Sequence, residues 1–127
     1  MFERVIEQFP LDEFIVDSLT PNVNKTKFMG VCRYTKSSPI RRIDIRFIDK
    51  ERLACAMLYF TGSGEFNIKM RSYALKKGYT INESAIKDKK TGKEVSGIKT
   101  ERDIFKFMGL KYVPPAKRVP DYTFPEV

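Results

Sequence analysis

Strict alternation over Arg41-Arg42-Ile43-Asp44-Ile45-Arg46-Phe47 constrains this chain more than any other stretch. Successive side chains of a strand point to opposite faces, so Arg42, Asp44 and Arg46 share one face and Arg41, Ile43, Ile45 and Phe47 the other. One carboxylate then stands between two guanidiniums. Such a strand needs sheet partners, and two other stretches read as strands, Phe14-Ile15-Val16 and Lys27 to Tyr34. The turn-rich Thr20–Asn24 and Lys36-Ser37-Ser38-Pro39 connect them. A small antiparallel sheet is expected. Beside it, Phe2, Val5, Ile6 and Phe9 recur at helical spacing until Pro10 ends the run. That pattern begins at Met1, so no upstream strand is expected in this chain.

Past the alternating strand the period changes. Glu51 to Tyr59 contains the apolar run Leu53–Leu58 and reads as a buried helix. Phe66, Met70, Tyr73, Ala74 and Lys77 form one face of a second helix, closed by Gly78, with Asn67 and Arg71 four apart on a neighbouring face. Between the two, Tyr59-Phe60-Thr61-Gly62-Ser63 runs an aromatic pair into a Gly-Ser turn whose free N–H groups and hydroxyl suit a phosphate. Tyr79-Thr80-Ile81 and the residues up to Ile86 read as short strands, with a charged hairpin around Thr91-Gly92. Thr100 and Asp103 resemble a capping box ahead of Ile104, Phe105, Phe107 and Met108, with Gly109 closing that helix. The Pro-rich residues from Pro114 predict an extended or mobile tail beyond Arg118.

Charge points to a polyanion partner. The chain carries 24 Lys and Arg against 16 Asp and Glu, a net charge of +8. Residues 1–22 hold five acids and only Arg4, so the remainder carries 23 cations against 11 acids. Cys32 and Cys55 read as buried reduced thiols inside strands, and with no CxxC and no histidine a structural zinc site or disulfide framework is not expected. There is no secretory apolar core and no long apolar run, which predicts an intracellular protein without a membrane partner.

Four sequence words, in order, carry a resemblance: Lys27-Phe28-Met29-Gly30-Val31-Cys32, Arg41-Arg42-Ile43-Asp44-Ile45-Arg46, Leu58-Tyr59-Phe60-Thr61-Gly62-Ser63 and Lys77-Gly78-Tyr79-Thr80-Ile81-Asn82-Glu83. With them the chain resembles the family X DNA polymerases of the polymerase beta type, from about Val5 to Arg118. The resemblance implies an α+β fold: a partial antiparallel palm sheet with a helix, then a small helix-hairpin-helix-like α/β nucleotide-binding subdomain. The expected divisions are 1–58 for the end of the palm, 59–118 for the nucleotide-binding subdomain and 119–127 for an extended tail.

The implied activity is template-directed nucleotidyl transfer in DNA gap or base excision repair, on gapped or primer-template DNA with a dNTP, at a site of DNA repair or replication. That chemistry uses two divalent ions about 3.5–4 Å apart, Mg²⁺ or Mn²⁺, held by several carboxylates. Asp44 corresponds to the third carboxylate of the set. The other two form an Asp-x-Asp pair, and none occurs in these 127 residues. A lone carboxylate holds Mg²⁺ poorly, so Asp44 alone is expected not to catalyse. The missing palm strands would then come from a separate chain, an implied partner, or from a longer form of this one. By the same resemblance Arg42 approaches the primer-end phosphate, and Arg46 exchanges carboxylate partners, Glu83 among them, during closure. Ser84 stands where polymerase beta has an aromatic residue.

Tyr59, Phe60 and Gly62 match the wall that crowds the sugar 2′ position. Asn67 and Arg71 face the nascent base pair from the minor groove, and Lys25 and Lys27 lie near the DNA backbone. Gly64 and Ile68 replace an acid and a lysine that contact base and template, which implies weaker contacts there. The alternative expectation is a catalytically inactive DNA-binding or polymerase-interacting module that keeps the fold for its surface.

Overall fold

The computed structural model describes Arg4, residues 14–20 and residues 26–127. The helix expected over Phe2–Phe9, most of the Thr20–Asn24 turn and Lys25 lie outside the described residues. The chain divides into two compact units, residues 1–48 and 49–127.

The first unit is an antiparallel sheet of order β1-β2-β3, with β1 at Ile15–Ser18, β2 at Lys27–Cys32 and β3 at Arg41–Arg46. Register follows the alternation: Phe28 pairs with Ile45 and Gly30 with Ile43 on one face, while Lys27 pairs with Arg46 and Met29 with Asp44 on the other. Phe28 is buried and both isoleucines are half-buried, whereas Arg42, Asp44 and Arg46 are exposed. Gly30 has to be glycine. A Cβ there would stand 2.5 Å from the Asp17 carbonyl and 2.8 Å from the Phe28 ring.

In the second unit a single 3-10 turn, Lys50–Arg52, leads into α1, Leu53–Thr61. Then come α2, Gly64–Lys76, the hairpin β4 (Tyr79–Ile81) and β5 (Ile86–Asp88), and α3, Glu101–Phe107. Four separate stretches feed one core. Leu58 of α1, Phe66, Met70, Tyr73 and Ala74 of α2, Ile86 of β5, and Ile104, Phe105 and Met108 of the α3 region are all buried together. The helical face expected for α2 is thus the buried one, as its spacing requires. Ser63 caps α2 by accepting from the Phe66 N–H at 3.3 Å.

At α3 the capping box is complete. Thr100 Oγ1 accepts from the Asp103 N–H, and Asp103 Oδ2 accepts from the N–H groups of Thr100 and Lys99. In the hairpin, Asp88 Oδ1 accepts from the Lys90 and Thr91 N–H groups. These backbone donors hold both the Asp103 and the Asp88 carboxyls below the ordinary aspartate range.

Cys55 corrects one expectation, for it lies in helix α1 and not in a strand. The run Leu-Ala-Cys-Ala-Met-Leu has too many helix formers and too few β-branched residues to extend. Burial pushes its thiol up to about 11, which leaves it neutral and inert. Cys32, half-buried on β2, is also free.

The residues beyond Arg118 form no helix or strand, but they are drawn onto the core instead of trailing from it. The Tyr122 and Phe124 rings lie 5.4 and 5.1 Å from Phe66, and Lys69 Nζ donates to the Pro120 and Tyr122 carbonyls. Among the described residues, no helix is long and apolar enough to cross a membrane.

Phe105, fully buried, and Phe107, half a turn on and 37% exposed, give a direct comparison. Phe105→Ala should cost about 3–5 kcal/mol in urea unfolding, and Phe107→Ala, which loses one edge-on contact with Tyr79, no more than about 1.5 kcal/mol. Asp103 and Asp88 also predict a pH dependence. A carboxyl with a lowered folded-state pKa adds stability above its unfolded value, and that stability is lost as pH falls through the folded value. Thermal melts from pH 7 to pH 2 should therefore show Tm falling below about pH 4. The Tm difference between wild type and Asp103→Asn should shrink over the same range.

Candidate functional site

The predicted site residues fall on two surfaces, one on each unit. On the first, β3 brings Arg42 and Asp44 together: Arg42 Nη2 lies 3.0 Å from Asp44 Oδ1, with both side chains more than half exposed. A pair this exposed contributes at most about 1 kcal/mol, so it yields readily to a competing phosphate or cation. Arg46 follows on the same face, with Lys27 directly opposite on β2. Lys27, Arg42 and Arg46 share this face with the carboxylates of Asp44 and of Asp17, the latter placed there by its pairing with Val31.

The second surface forms where α1 meets α2. Tyr59 and Phe60 close α1, their rings edge-on with centroids 4.9 Å apart. Gly62 then turns the chain at φ 72°, ψ −157°, a conformation that side chains other than glycine rarely adopt. The turn folds the start of α2 back past α1. Asn67 Nδ2 donates to the Tyr59 carbonyl at 2.7 Å, satisfying one of the last carbonyls of α1, and the Arg71 guanidinium sits 5.2 Å from the Tyr59 ring centroid. These contacts leave the second Asn67 N–H and the Arg71 donors beside the Tyr59 ring. Tyr59, Phe60, Gly62, Asn67 and Arg71 line one groove together with Gly64 and Ile68. Ile68 is exposed, and nothing fills the space beside Gly64.

One part of the expected chemistry is corrected here. The Ser63 N–H is not free for phosphate, because it donates to the Arg118 carbonyl at 2.9 Å. The Ser63 hydroxyl accepts from Phe66, and its carbonyl accepts from the Asn67 N–H. The turn is held from three sides.

Glu83 lies on the second unit, in the β4–β5 turn, where Asn82 Oδ1 accepts from the Ser84 and Ala85 N–H groups. Arg46 is on the first. The Ser84 carbonyl and the Glu94 carboxylate both accept from Arg52 Nη1, an ion pair that fastens the start of α1 to the hairpin. Lys25 lies outside the described residues. Sequence reasoning gave no role to Arg118 or Lys69. Lys69 carried no sequence signal, and Arg118 only that of a cation among prolines.

Among the described residues, no group of three or more His, Cys, Asp and Glu side chains could hold a metal ion. Asp44, a single exposed carboxylate already paired with Arg42, does not fit a self-sufficient Mg²⁺ centre.

Residues 1–50 match the family model described as DNA polymerase beta palm, and residues 56–119 match DNA polymerase beta thumb. The chain is similar to DNA polymerase lambda of Rattus norvegicus, 35% identical over 132 residues that cover 93% of this chain and 23% of the relative. It is also similar to the DNA polymerase/3'-5' exonuclease PolX of Bacillus subtilis, 34% identical over 60% of this chain and 13% of the relative. A third relative, DNA nucleotidylexotransferase of Ambystoma mexicanum, is 36% identical over 61% of this chain and 15% of its own length. The chain thus spans less than a quarter of each of these relatives. With palm and thumb matched in order along its length, and with the strand, turn and helix that carry the shared words in place, this chain belongs to the family X DNA polymerases.

Proposed function

We propose that this chain supplies the nucleotide-facing and primer-facing part of template-directed nucleotidyl transfer in DNA gap filling, acting inside the cell where DNA is repaired or replicated. The observation that carries the reading is the convergence of Tyr59, Asn67 and Arg71 on one groove. A flat ring, an amide and a guanidinium side by side suit a sugar edge and the minor-groove acceptors, which all base pairs share. Such a site checks shape without reading sequence. Phe60 and Gly62 complete the wall at the sugar. On the sheet unit, Arg42 faces the primer-end phosphate, Lys27 and Lys25 follow the DNA backbone, and Arg46 exchanges carboxylate partners with Glu83 on closure. Residues 1–58 then serve as the end of the palm, 59–118 as the nucleotide-binding subdomain and 119–127 as its tail.

When divalent ions are bound, they supply activation of the primer hydroxyl and neutralisation of the leaving pyrophosphate. Asp44 is this chain's one ligand for them, so the site requires further carboxylates. Palm strands with an Asp-x-Asp pair, on a separate chain or on a longer form of this one, complete it. The Arg42–Asp44 ion pair favours a second reading, in which Asp44 serves only to orient Arg42 and the chain is a catalytically inactive module that binds DNA or a polymerase.

Primer extension across a one-nucleotide gap with Mg²⁺ or Mn²⁺ separates the two readings. The chain alone is expected to give no extension. Adding a palm segment that bears an Asp-x-Asp pair should restore extension, and Asp44→Ala should abolish it; full activity of that variant would sink the catalytic role. Gapped DNA should bind under the first reading and under a DNA-binding module, with log affinity falling linearly against log salt and without sequence preference. Undetectable binding at low ionic strength would rule out both of these and leave only a module that binds a polymerase.

A further inference from the structure

The segment after α3 contributes no side chain to the groove between Tyr59 and Arg71, yet it reaches the groove wall through one main-chain contact, the Arg118 carbonyl accepting from the Ser63 N–H at 2.9 Å. What fixes that carbonyl is the rest of Arg118. The residue is 2% exposed. Nε donates to the Val113 carbonyl at 2.9 Å and Nη1 to Glu101 Oε1 at 2.6 Å, while the guanidinium carbon lies 5.4 Å from the Phe105 ring centroid and 5.7 Å from that of Tyr112. Nη2 is buried without a hydrogen-bond partner, so the guanidinium rests on the Nε and Nη1 bonds and the Glu101 charge; these confine the side chain to a narrow range of positions, and its own backbone moves with it. The turn it holds has little else to define it on that side. Gly62 and Gly64 bring no side chain, and Gly62 stands at positive φ.

We infer that Arg118 is a positioning residue for the Gly62–Ser63 turn. Glu101 and Val113 hold the guanidinium, the guanidinium holds residue 118, and its carbonyl holds the Ser63 N–H. The inference rests on the proposed function for what the turn does, but not for what holds it in place.

Amide hydrogen exchange by NMR on the full chain reads the clamp directly. Losing one hydrogen bond at a local opening should speed Ser63 exchange by about tenfold in Arg118→Met, while the Met70 and Tyr73 amides in the body of α2 change much less. Arg118→Lys should restore part of the protection. Lys69→Met, which cuts only the contacts to the Pro120 and Tyr122 carbonyls, should leave Ser63 unchanged. If Arg118→Met fails to fold, Glu101→Gln, which keeps an acceptor for Nη1, should give a smaller change in the same direction. Ser63 exchange that is unchanged in the folded variants, or that rises only in step with Met70, overturns the inference.

The second measurement is dNTP affinity on gapped DNA, which should fall several-fold in Arg118→Met while DNA affinity holds. Equal dNTP affinity despite a deprotected Ser63 removes the positioning role. These affinities are read with the palm segment that bears the Asp-x-Asp pair added; if the wild-type chain so completed binds no dNTP, the proposed function fails, and the exchange rates still decide the clamp.

Discussion

Phe66 has no exposed surface, and its ring lies 6.5 Å from Phe105, 5.4 Å from Tyr122 and 5.1 Å from Phe124. Four rings from three separate stretches meet there, so a single side chain sets how α2, α3 and the C-terminal residues of the second unit come together. Its place in the first turn of α2 matters as much as its size. A helix that buries Phe66, Met70, Tyr73 and Ala74 has its rotation about its own axis decided. Asn67 and Arg71, one residue on from Phe66 and Met70, must then line the flank of that face. The groove beside Tyr59 follows from how the core sets the phase of α2, with Asn67 completing it by binding the exposed end of α1.

The sheet unit divides its labour more simply. Phe28, Ile43 and Ile45 take one face, while Lys27, Arg42, Asp44 and Arg46 take the other. Period-2 alternation makes that separation automatic. Lys27 stands opposite Arg46 on that polar face.

Local, repeated patterns were the legible part of the sequence. The buried stripe of α2, the Thr100–Asp103 box, the turn at Gly92 and the strand containing Asp44 all rest on neighbours within a few residues, and each appears where the spacing places it. At Cys55 the sequence supported two readings, a strand for the cysteine and a helix for the Glu51–Tyr59 run around it, because a short apolar run fits a buried strand or a buried helix equally by period; the helix is what forms. The Ser63 N–H was expected to be free because its acceptor lies at the far end of the chain, and no local pattern records a partner that distant. Arg118 was hidden for a related reason. An arginine among prolines looks solvated until a carboxylate, a carbonyl and two rings close around it. In the candidate site, the stripe shared by Asn67 and Arg71 could be read from spacing, whereas their approach to Tyr59 depends on the sharp reversal at Gly62. The roles of Asp44, Glu83 and the sugar wall came from family resemblance, not from the residues' own physics.

The stretch that matches the thumb model stops at residue 119, and the two rings that cover Phe66 from outside, Tyr122 and Phe124, come after it. The thumb match therefore ends before the packed core of the second unit does. Trimming it to the matched span would leave Phe66 and Tyr73 facing water across the back of α2 and turn an internal contact into an adhesive one. An expression tag or fusion partner belongs beyond Val127 on a flexible spacer, since anything joined closer would compete with the protein's own aromatic cover.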